Sequence, residues 1–322
     1  MGFISRQIEG AYKKVLFTRH DPDGTVFYFA HTDFPGLKKT DCSFLSKKGH
    51  KLNGGFYFYG IPRQDRLIVF DHGLGTGHRA YMREIEMLCR QGYLVFSYDH
   101  TGCGTSGGDH VMGLSGSLSD LDDCIKYLRS SDQFSKIEIS VVGHSWGGYS
   151  TLNILGFHPD IHSVVAMSGF LSLKIMQSQI APPIIASYRK RLFILESHFN
   201  PDYVNSSAIS VIEKTDKPIL VIHSLDDATV SAKLNILKLR KETCEKEIIE
   251  FILQNGKGHN VSYTREAAEY KRIFFKELKR RKKQGTLSTN EEKRAFISQY
   301  DFRAMTEQDE ELWEKIFVFL DK

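Results

Sequence analysis

From residue 42 to about residue 262 the chain alternates short apolar runs with stretches whose apolar positions recur every three or four residues. RLIVFDHG (66–73), YLVFSYD (93–99), IEISVVGHS (137–145), HSVVAMSG (162–169) and PILVIHSLDD (218–227) are nearly continuous in apolar character rather than alternating, as strands buried on both faces are. EIIEFIL (247–253) predicts one more strand, and CSFLSKKGHKLNGGFYFYG (42–60) predicts two early strands joined by a turn around Asn53-Gly54-Gly55. Between them, helical periodicity covers Tyr81 to Arg90, a segment carrying Leu118, Leu121, Ile125 and Leu128, and about Gly147 to Phe157. Strands alternating with helices predict an α/β fold, a mostly parallel sheet covered by helices on both faces.

Three segments stand outside the alternation. Residues 1–41 predict a helix and an irregular lead-in. Residues of about 170–212 form an apolar, Pro-containing insertion, and residues of about 265–305 a charged helical insertion before a last helix. Thr306 is a candidate cap for that helix, and Leu312, Ile316 and Phe319 are among its apolar positions. With no repeat or low-complexity tract, the expectation is one domain over 1–322.

Composition narrows the class. The 322 residues are 41% hydrophobic and 25% charged, ordinary for a folded globular chain. A net charge of +4, from 43 basic and 39 acidic residues, is too balanced to argue for nucleic acid. No run approaches the roughly 20 apolar residues of a spanning helix, and the first residues show no signal-peptide pattern. Cys42, Cys89, Cys103, Cys124 and Cys244 are odd in number and unpaired in spacing, which fits reduced thiols and a cytoplasmic expectation.

The strongest chemical signal is Gly143-His144-Ser145-Trp146-Gly147, after a predicted strand and opening a predicted helix. That context is the one a G-x-S-x-G nucleophile elbow requires, with a tight turn lifting Ser145 to the end of the sheet. An activated serine needs a base, and the base an orienting acid, in the chain order serine, acid, histidine. Asp226 and Asp227 follow the PILVIHS strand, and Gly256-Lys257-Gly258-His259-Asn260 follows the next. His259 is the candidate base. Either aspartate serves as acid while the other caps or turns the chain. Donors for a developing oxyanion are expected from the backbone N–H of Leu74, in Asp71-His72-Gly73-Leu74-Gly75, and from that of Trp146.

HGLGTG (72–77), YDHTGCGTSGG (98–108), GHSWGG (143–148), PILVIHSLDDATV (218–230) and GKGHN (256–260), in that order, resemble the α/β-hydrolase superfamily. Within it they are similar to the branch of monoglyceride lipases, small esterases and serine aminopeptidases. The resemblance spans about residues 42–262. It implies an α/β-hydrolase fold and favours Asp227 as the acid, because Val230 stands three residues after it. Thr101 departs from the family, standing where lipase-like members commonly have Arg, and Ser224 replaces a usual glycine. The resemblance further implies a serine hydrolase acting on a small acyl ester through an acyl-enzyme, with no metal or organic cofactor. Two alternatives are an aminopeptidase or amidase using the same residues, with Glu196 and Asp202 as candidates to hold a free amine, and a non-catalytic binding protein. The insertion at about 170–212 is expected as a lid over the serine. Its Ile175, Met176, Ile180, Ile184, Ile185, Phe193 and Phe199 would either line an acyl pocket or extend the core.

Other motifs carry less. Gly102-Cys103-Gly104-Thr105-Ser106-Gly107 reads as G-x-G-x-x-G, but GDHVMGLSGS follows instead of a helix that would receive a pyrophosphate. The thirteen histidines show no metal-ligand spacing. KRIFFKELKRRKK (271–283) predicts a solvated helix with one packed face; a patch for an anionic lipid surface or an acidic partner is the alternative. The sequons at Asn205 and Asn260 matter only in a secreted protein.

Overall fold

The computed structural model describes residues 3–180 and 186–322. Its strands are β1 (Lys38–Leu45), β2 (Lys51–Phe58), β3 (Arg66–Asp71), β4 (Leu94–Tyr98), β5 (Glu138–His144), β6 (Ser163–Met167), β7 (Ile219–Ser224) and β8 (Ile249–Gln254). They form one eight-stranded sheet in the order β1-β2-β4-β3-β5-β6-β7-β8. The β1–β2 and β2–β4 pairings are antiparallel and the other five parallel.

Strand alternation divides the core into two layers. Leu67, Val69, Ile139, Val141, Val164, Ala166, Ile219 and Val221 belong to one cluster, with α3 (Gly116–Ser130) and α4 (Trp146–Asn153). Ile68, Phe70, Val142, Val165, Met167, Leu220 and Ile222 belong to the other, with α2 (Met82–Arg90) and α12 (Glu310–Leu320). Burying each such side chain fully contributes about 1.5–3 kcal/mol. The helical stripe Leu118, Leu121, Ile125 and Leu128 is fully buried, as its spacing predicts.

Two local expectations are corrected. Asn53-Gly54-Gly55 lies inside β2 and is not the β1–β2 turn, which runs through Lys47-Lys48-Gly49 with Gly49 at φ +80°. Gly54 is there for close approach: a Cβ would fall on the Ser97 carbonyl and the Tyr98 backbone. Nor does Thr306 cap the last helix. Its hydroxyl donates to Phe302 O (2.7 Å), and Asp309 accepts the Leu312 N–H (3.1 Å) as the cap of α12.

The described residues of the segments outside the alternation pack onto the rest of the fold. After α1 (Phe3–Leu16), the lead-in lies along the Gly-rich loop, with Gly113 N donating to Leu16 O, Val111 N to Thr18 O and His20 N to Gly102 O. The Arg19 guanidinium donates to the carbonyls of Gly104, Ser106 and Gly108 (2.6–2.9 Å), so a basic side chain from the lead-in braces the loop in which Thr101 stands. The insertion forms α5 (Leu173–Ile180), α6 (Ala186–Phe199) and α7 (Ala208–Ile212), and α8 (Ile236–Glu242) follows β7. Ile175, Met176 and Phe193 pack on the core, Phe199 lies tilted against Phe17 and edge-on to His110, and Ile180 is exposed. Ile184 and Ile185 lie outside the described residues.

The charged insertion forms α9 (Arg265–Gln284), α10 (Asn290–Ile297) and α11 (Phe302–Met305). On α9, Phe274 and Leu278 are buried, while Glu269 and Glu277 pair with Arg272, Arg280 and Arg281 on the solvated side. Among the described residues, no helix is long and apolar enough to cross a membrane.

Candidate active site

β5 ends at His144 and α4 begins at Trp146, so Ser145 alone turns the chain. It does so at φ 59°, ψ −112°, in the left-handed region that side-chain-bearing residues rarely occupy. Its N–H is held by Met167 O at 2.8 Å. The flanking glycines are required by space: a Cβ on Gly143 would collide with the Thr151 hydroxyl, and one on Gly147 with the Asp71 carbonyl. These contacts hold the strained turn with the hydroxyl projecting from the carboxyl end of the sheet.

The three expected side chains meet there. His259 Nε2 lies 2.8 Å from Ser145 Oγ, and His259 Nδ1 lies 2.7 Å from Asp227 Oδ2. The Asp227 side chain is fully buried. Its Oδ1 accepts the N–H groups of Thr229 (2.8 Å) and Val230 (3.0 Å), which turns the other oxygen to the imidazole. Burial pushes the Asp227 carboxyl up, but the His259 hydrogen bond and charge and the Val230 amide outweigh it and hold the group below its ordinary value.

Asp226 takes a different position. It accepts the Ser224 hydroxyl and the N–H groups of Gly256 (2.9 Å) and Gly258 (3.3 Å), tying the loop after β7 to the loop that carries His259. Ser224, which replaces a usual glycine, thus supplies a hydroxyl that orients this carboxylate.

Sequence reasoning missed the residue beside Ser145. His144 Nε2 is 2.7 Å from the His259 carbonyl oxygen, and its Nδ1 is 2.9 Å from the Tyr81 hydroxyl. A carbonyl only accepts, so Nε2 carries the proton and Nδ1 accepts from Tyr81. Burial and the neighbouring His259 pull His144 down to about 3, which keeps it neutral. The only sequence signal was its place inside G-x-S-x-G; its partners are 63 and 115 residues away.

Beneath the elbow lies a second unforeseen group. His100 stands 3.0 Å from Asp71 and 3.4 Å from Asp120, with all three side chains buried, and its ring packs on Trp146 at 4.9 Å between centroids. Burial alone would lower its pKa, but the two carboxylates raise it to about 9, so it is a buried imidazolium. Thr101 N–H and hydroxyl both donate to Asp120, at 2.7 and 2.9 Å.

The loop after β3 passes directly beside the serine, since a Cβ on Gly73 would stand 3.2 Å from Ser145 Cβ. His72 fixes that loop. Its Nε2 accepts His100 N–H (3.0 Å), which leaves Nδ1–H to donate to Gly73 O (2.7 Å), and burial holds the ring neutral. The candidate oxyanion donor Leu74 follows Gly73 and is half-buried.

Not every candidate gathers here. Glu196 is fully buried on α6 and accepts Tyr12 OH (2.5 Å), Leu114 N–H (2.7 Å) and the amide and hydroxyl of Ser115 (3.3 and 3.1 Å). Asp202 pairs at the surface with Lys47 (2.8 Å). Neither is placed to receive a substrate amine. The Gly-rich loop at 102–107 is occupied by the lead-in, and α3 starts only at Gly116. Among the described residues, no cluster of His, Cys, Asp and Glu could hold a metal ion.

Comparison with known proteins agrees with this architecture. The family described as serine aminopeptidase, S33, matches residues 62–205, which include Ser145 but neither Asp227 nor His259. The Bacillus subtilis uncharacterized protein YqkD is 24% identical over 251 residues, 74% of this chain and 79% of that protein. A monoglyceride lipase homolog of Monkeypox virus is 31% identical over 107 residues, 31% of this chain and 35% of its own length. Among solved structures, an esterase of Pyrococcus furiosus superposes with a TM-score of 0.59 at 21% identity, covering 81% of this chain and 96% of that one. Sheet order, elbow and superposition together show the α/β-hydrolase fold, and the family match falls on the part of it that carries Ser145.

Proposed function

We propose that the protein is a serine hydrolase that cleaves carboxylic esters of small acyl substrates through an acyl-enzyme. The observation that carries this reading is the unbroken file of hydrogen bonds from Asp227 through His259 to Ser145. His259 Nε2 takes the proton from Ser145 as Oγ attacks the carbonyl carbon. The Leu74 and Trp146 amides receive the oxyanion, each worth about 100- to 1000-fold in rate by analogy with other oxyanion donors. Asp227 holds the imidazole in the required tautomer and stabilises its charged form. His259 then protonates the leaving alcohol, and the same imidazole activates the water that releases the acid. His144 and Tyr81 act as positioning residues, fixing the main chain that bears the base. Residues 170–212 are the proposed lid: Gln179 of α5 is bonded to Thr229 O (2.8 Å) and Ser231 N (2.9 Å), next to the acid.

Incubation with a fluorophosphonate probe tests the nucleophile. The expected result is labelling of the wild type and none of Ser145→Ala, with p-nitrophenyl acetate hydrolysis lost in parallel. Equal labelling or equal turnover in both proteins overturns the reading, and neither labelling nor turnover in the folded wild type leaves a binding protein on the same fold.

A second reading, amide or peptide hydrolysis by the same residues, is favoured by the serine aminopeptidase description of the matching family. Against it stand the internal use of Glu196 and the surface pairing of Asp202. Parallel assays on p-nitrophenyl esters and aminoacyl p-nitroanilides separate the two.

A further inference from the structure

The two segments to which no motif assigned a role meet on the far side of the oxyanion loop. Between them is a cleft of about 200 Å³, walled by Gly73 to Gly77, by Phe27 to Phe29 of the lead-in and by Phe274, Phe275, Phe302 and Met305 of the charged insertion. Phe27 and Phe275 are large aromatic side chains left exposed at its edge. The volume is below the roughly 300–1,000 Å³ of pockets that enclose a drug-sized ligand, so the cleft suits one end of a molecule. It abuts the proposed reaction centre. Gly73 and Tyr81 are both wall residues, and a Cβ at Gly73 would fall on the Tyr81 hydroxyl and stand 3.2 Å from Ser145 Cβ.

Its charges are one-sided. Arg79, Arg83 and Lys271 line it, and among the described residues no aspartate or glutamate does. Arg79 donates to the Tyr28 and Phe29 carbonyls (3.1 and 3.5 Å), Arg83 to the Thr306 carbonyl (3.4 Å) and Lys271 to the Tyr263 hydroxyl (3.2 Å), its ammonium also lying 4.5 Å from that ring. Among the described residues, none of the three cations has a carboxylate within ion-pair distance. The carboxylate whose charge acts on both Lys271 and Arg83 is Glu84, buried on α2, which accepts the Ser262 hydroxyl (3.1 Å), is beyond ion-pair distance of either and is not part of the cleft wall. Cations held at an apolar wall without a carboxylate partner are suited to an incoming anion, and guanidinium groups to a forked one.

We propose that this cleft is a subsite for a short apolar group ending in a carboxylate or phosphate, bound by Lys271, Arg79 and Arg83, and that it selects esters whose acyl chain carries a second, anionic end. The substrate part rests on the hydrolase reading above; the binding part does not. Burial pulls Lys271 down to about 8, with Glu84 opposing. The other groups around it are Arg83, the His144 imidazole, which burial and neighbouring charge including that of Lys271 keep neutral, and the phenols Tyr263, Tyr28 and Tyr81, raised by burial and so neutral at pH 7 to 9. The ammonium therefore loses its charge as pH rises through about 8, and anion binding weakens between pH 7 and 9.

Calorimetric titration of Ser145→Ala with hexanoate, hexyl phosphate and hexan-1-ol tests binding apart from turnover. Hexanoate or hexyl phosphate should bind at least tenfold more tightly than hexan-1-ol, and which of the two is tighter identifies the anion. Lys271→Met and Arg79→Gln should each weaken hexanoate at least fivefold at pH 7. Arg79 is exposed, so its variant keeps the test open if Lys271→Met fails to fold. Hexan-1-ol binding as tightly as both anions, or hexanoate affinity unchanged in folded variants, overturns the subsite. In turnover, mono-p-nitrophenyl adipate should exceed p-nitrophenyl hexanoate in kcat/KM by at least tenfold, a ratio that Arg79→Gln brings toward one. Equal efficiency for the two esters overturns the substrate assignment, whereas hexanoate binding with neither ester hydrolysed overturns the hydrolase reading and leaves the subsite standing.

Discussion

Asp226 and Asp227 are neighbours in the chain but face different partners, one the amides of Gly256 and Gly258, the other the His259 ring. Under the proposed mechanism, Asp227→Asn should lower kcat on p-nitrophenyl acetate by about 10⁴-fold, the effect of presenting the base with the wrong tautomer partner. Asp226→Asn removes one acceptor charge from an exposed loop contact and should cost less than about tenfold, or roughly 1.4 kcal/mol. Steady-state kinetics on the two variants side by side checks both. The sequence showed a paired acid after a strand but not which member turns inward. That choice is made by the Thr229 and Val230 amides, which capture one oxygen of Asp227 and rotate the other toward the base. Ser145 and His259 were legible because each stands in a motif that local backbone geometry demands. His144 and His100 were not, since their partners are brought by strands and loops remote in sequence.

At the level of elements, strands and helices could be read from periodicity because most are buried on one stripe or on both faces. The errors lay where a glycine or a hydroxyl had two possible uses, as at Gly54 and Thr306. Helix α6 is the clearest case of hidden chemistry. Its sequence pattern gives no sign that Glu196 is buried, yet that carboxylate joins α1, α6 and the Leu114–Ser115 turn through four donors. Glu196→Ala leaves those buried donors without an acceptor and should destabilise the protein by on the order of 3 kcal/mol. Asp202→Ala, three residues past the helix at a surface ion pair, should stay within about 0.5 kcal/mol. Urea unfolding of both variants measures the contrast, and equal midpoints would remove the clamp assigned to Glu196.

For the whole molecule, the sheet was legible and the two flanking segments were not, because their role is set by packing on one another across the sheet end. Long-range ties of the same kind shape the response to acid. Asp122 of α3 accepts His158 (2.7 Å), Lys126 (2.6 Å) and Tyr203 (2.5 Å), joining α3 to the loop after α4 and to the insertion. Burial raises this carboxyl, but those three hydrogen bonds bring it down to about 2. The folded value lies below the unfolded one of about 3.9, so Asp122 contributes stability that is complete above that value and lost as pH falls toward 2. The stability gap between wild type and Asp122→Asn, from urea melts at pH 5, 4, 3 and 2, should narrow steadily over that range. A constant gap would show that Asp122 acts by packing alone. The grip of His144 on the main chain of His259 reaches into evolvability. Diversifying position 144 also loosens the main chain of His259, the proposed general base. Libraries there should therefore return slower acylation more often than altered chain-length preference, unless codon 81 is randomised with it so that a new pair can rebuild the brace.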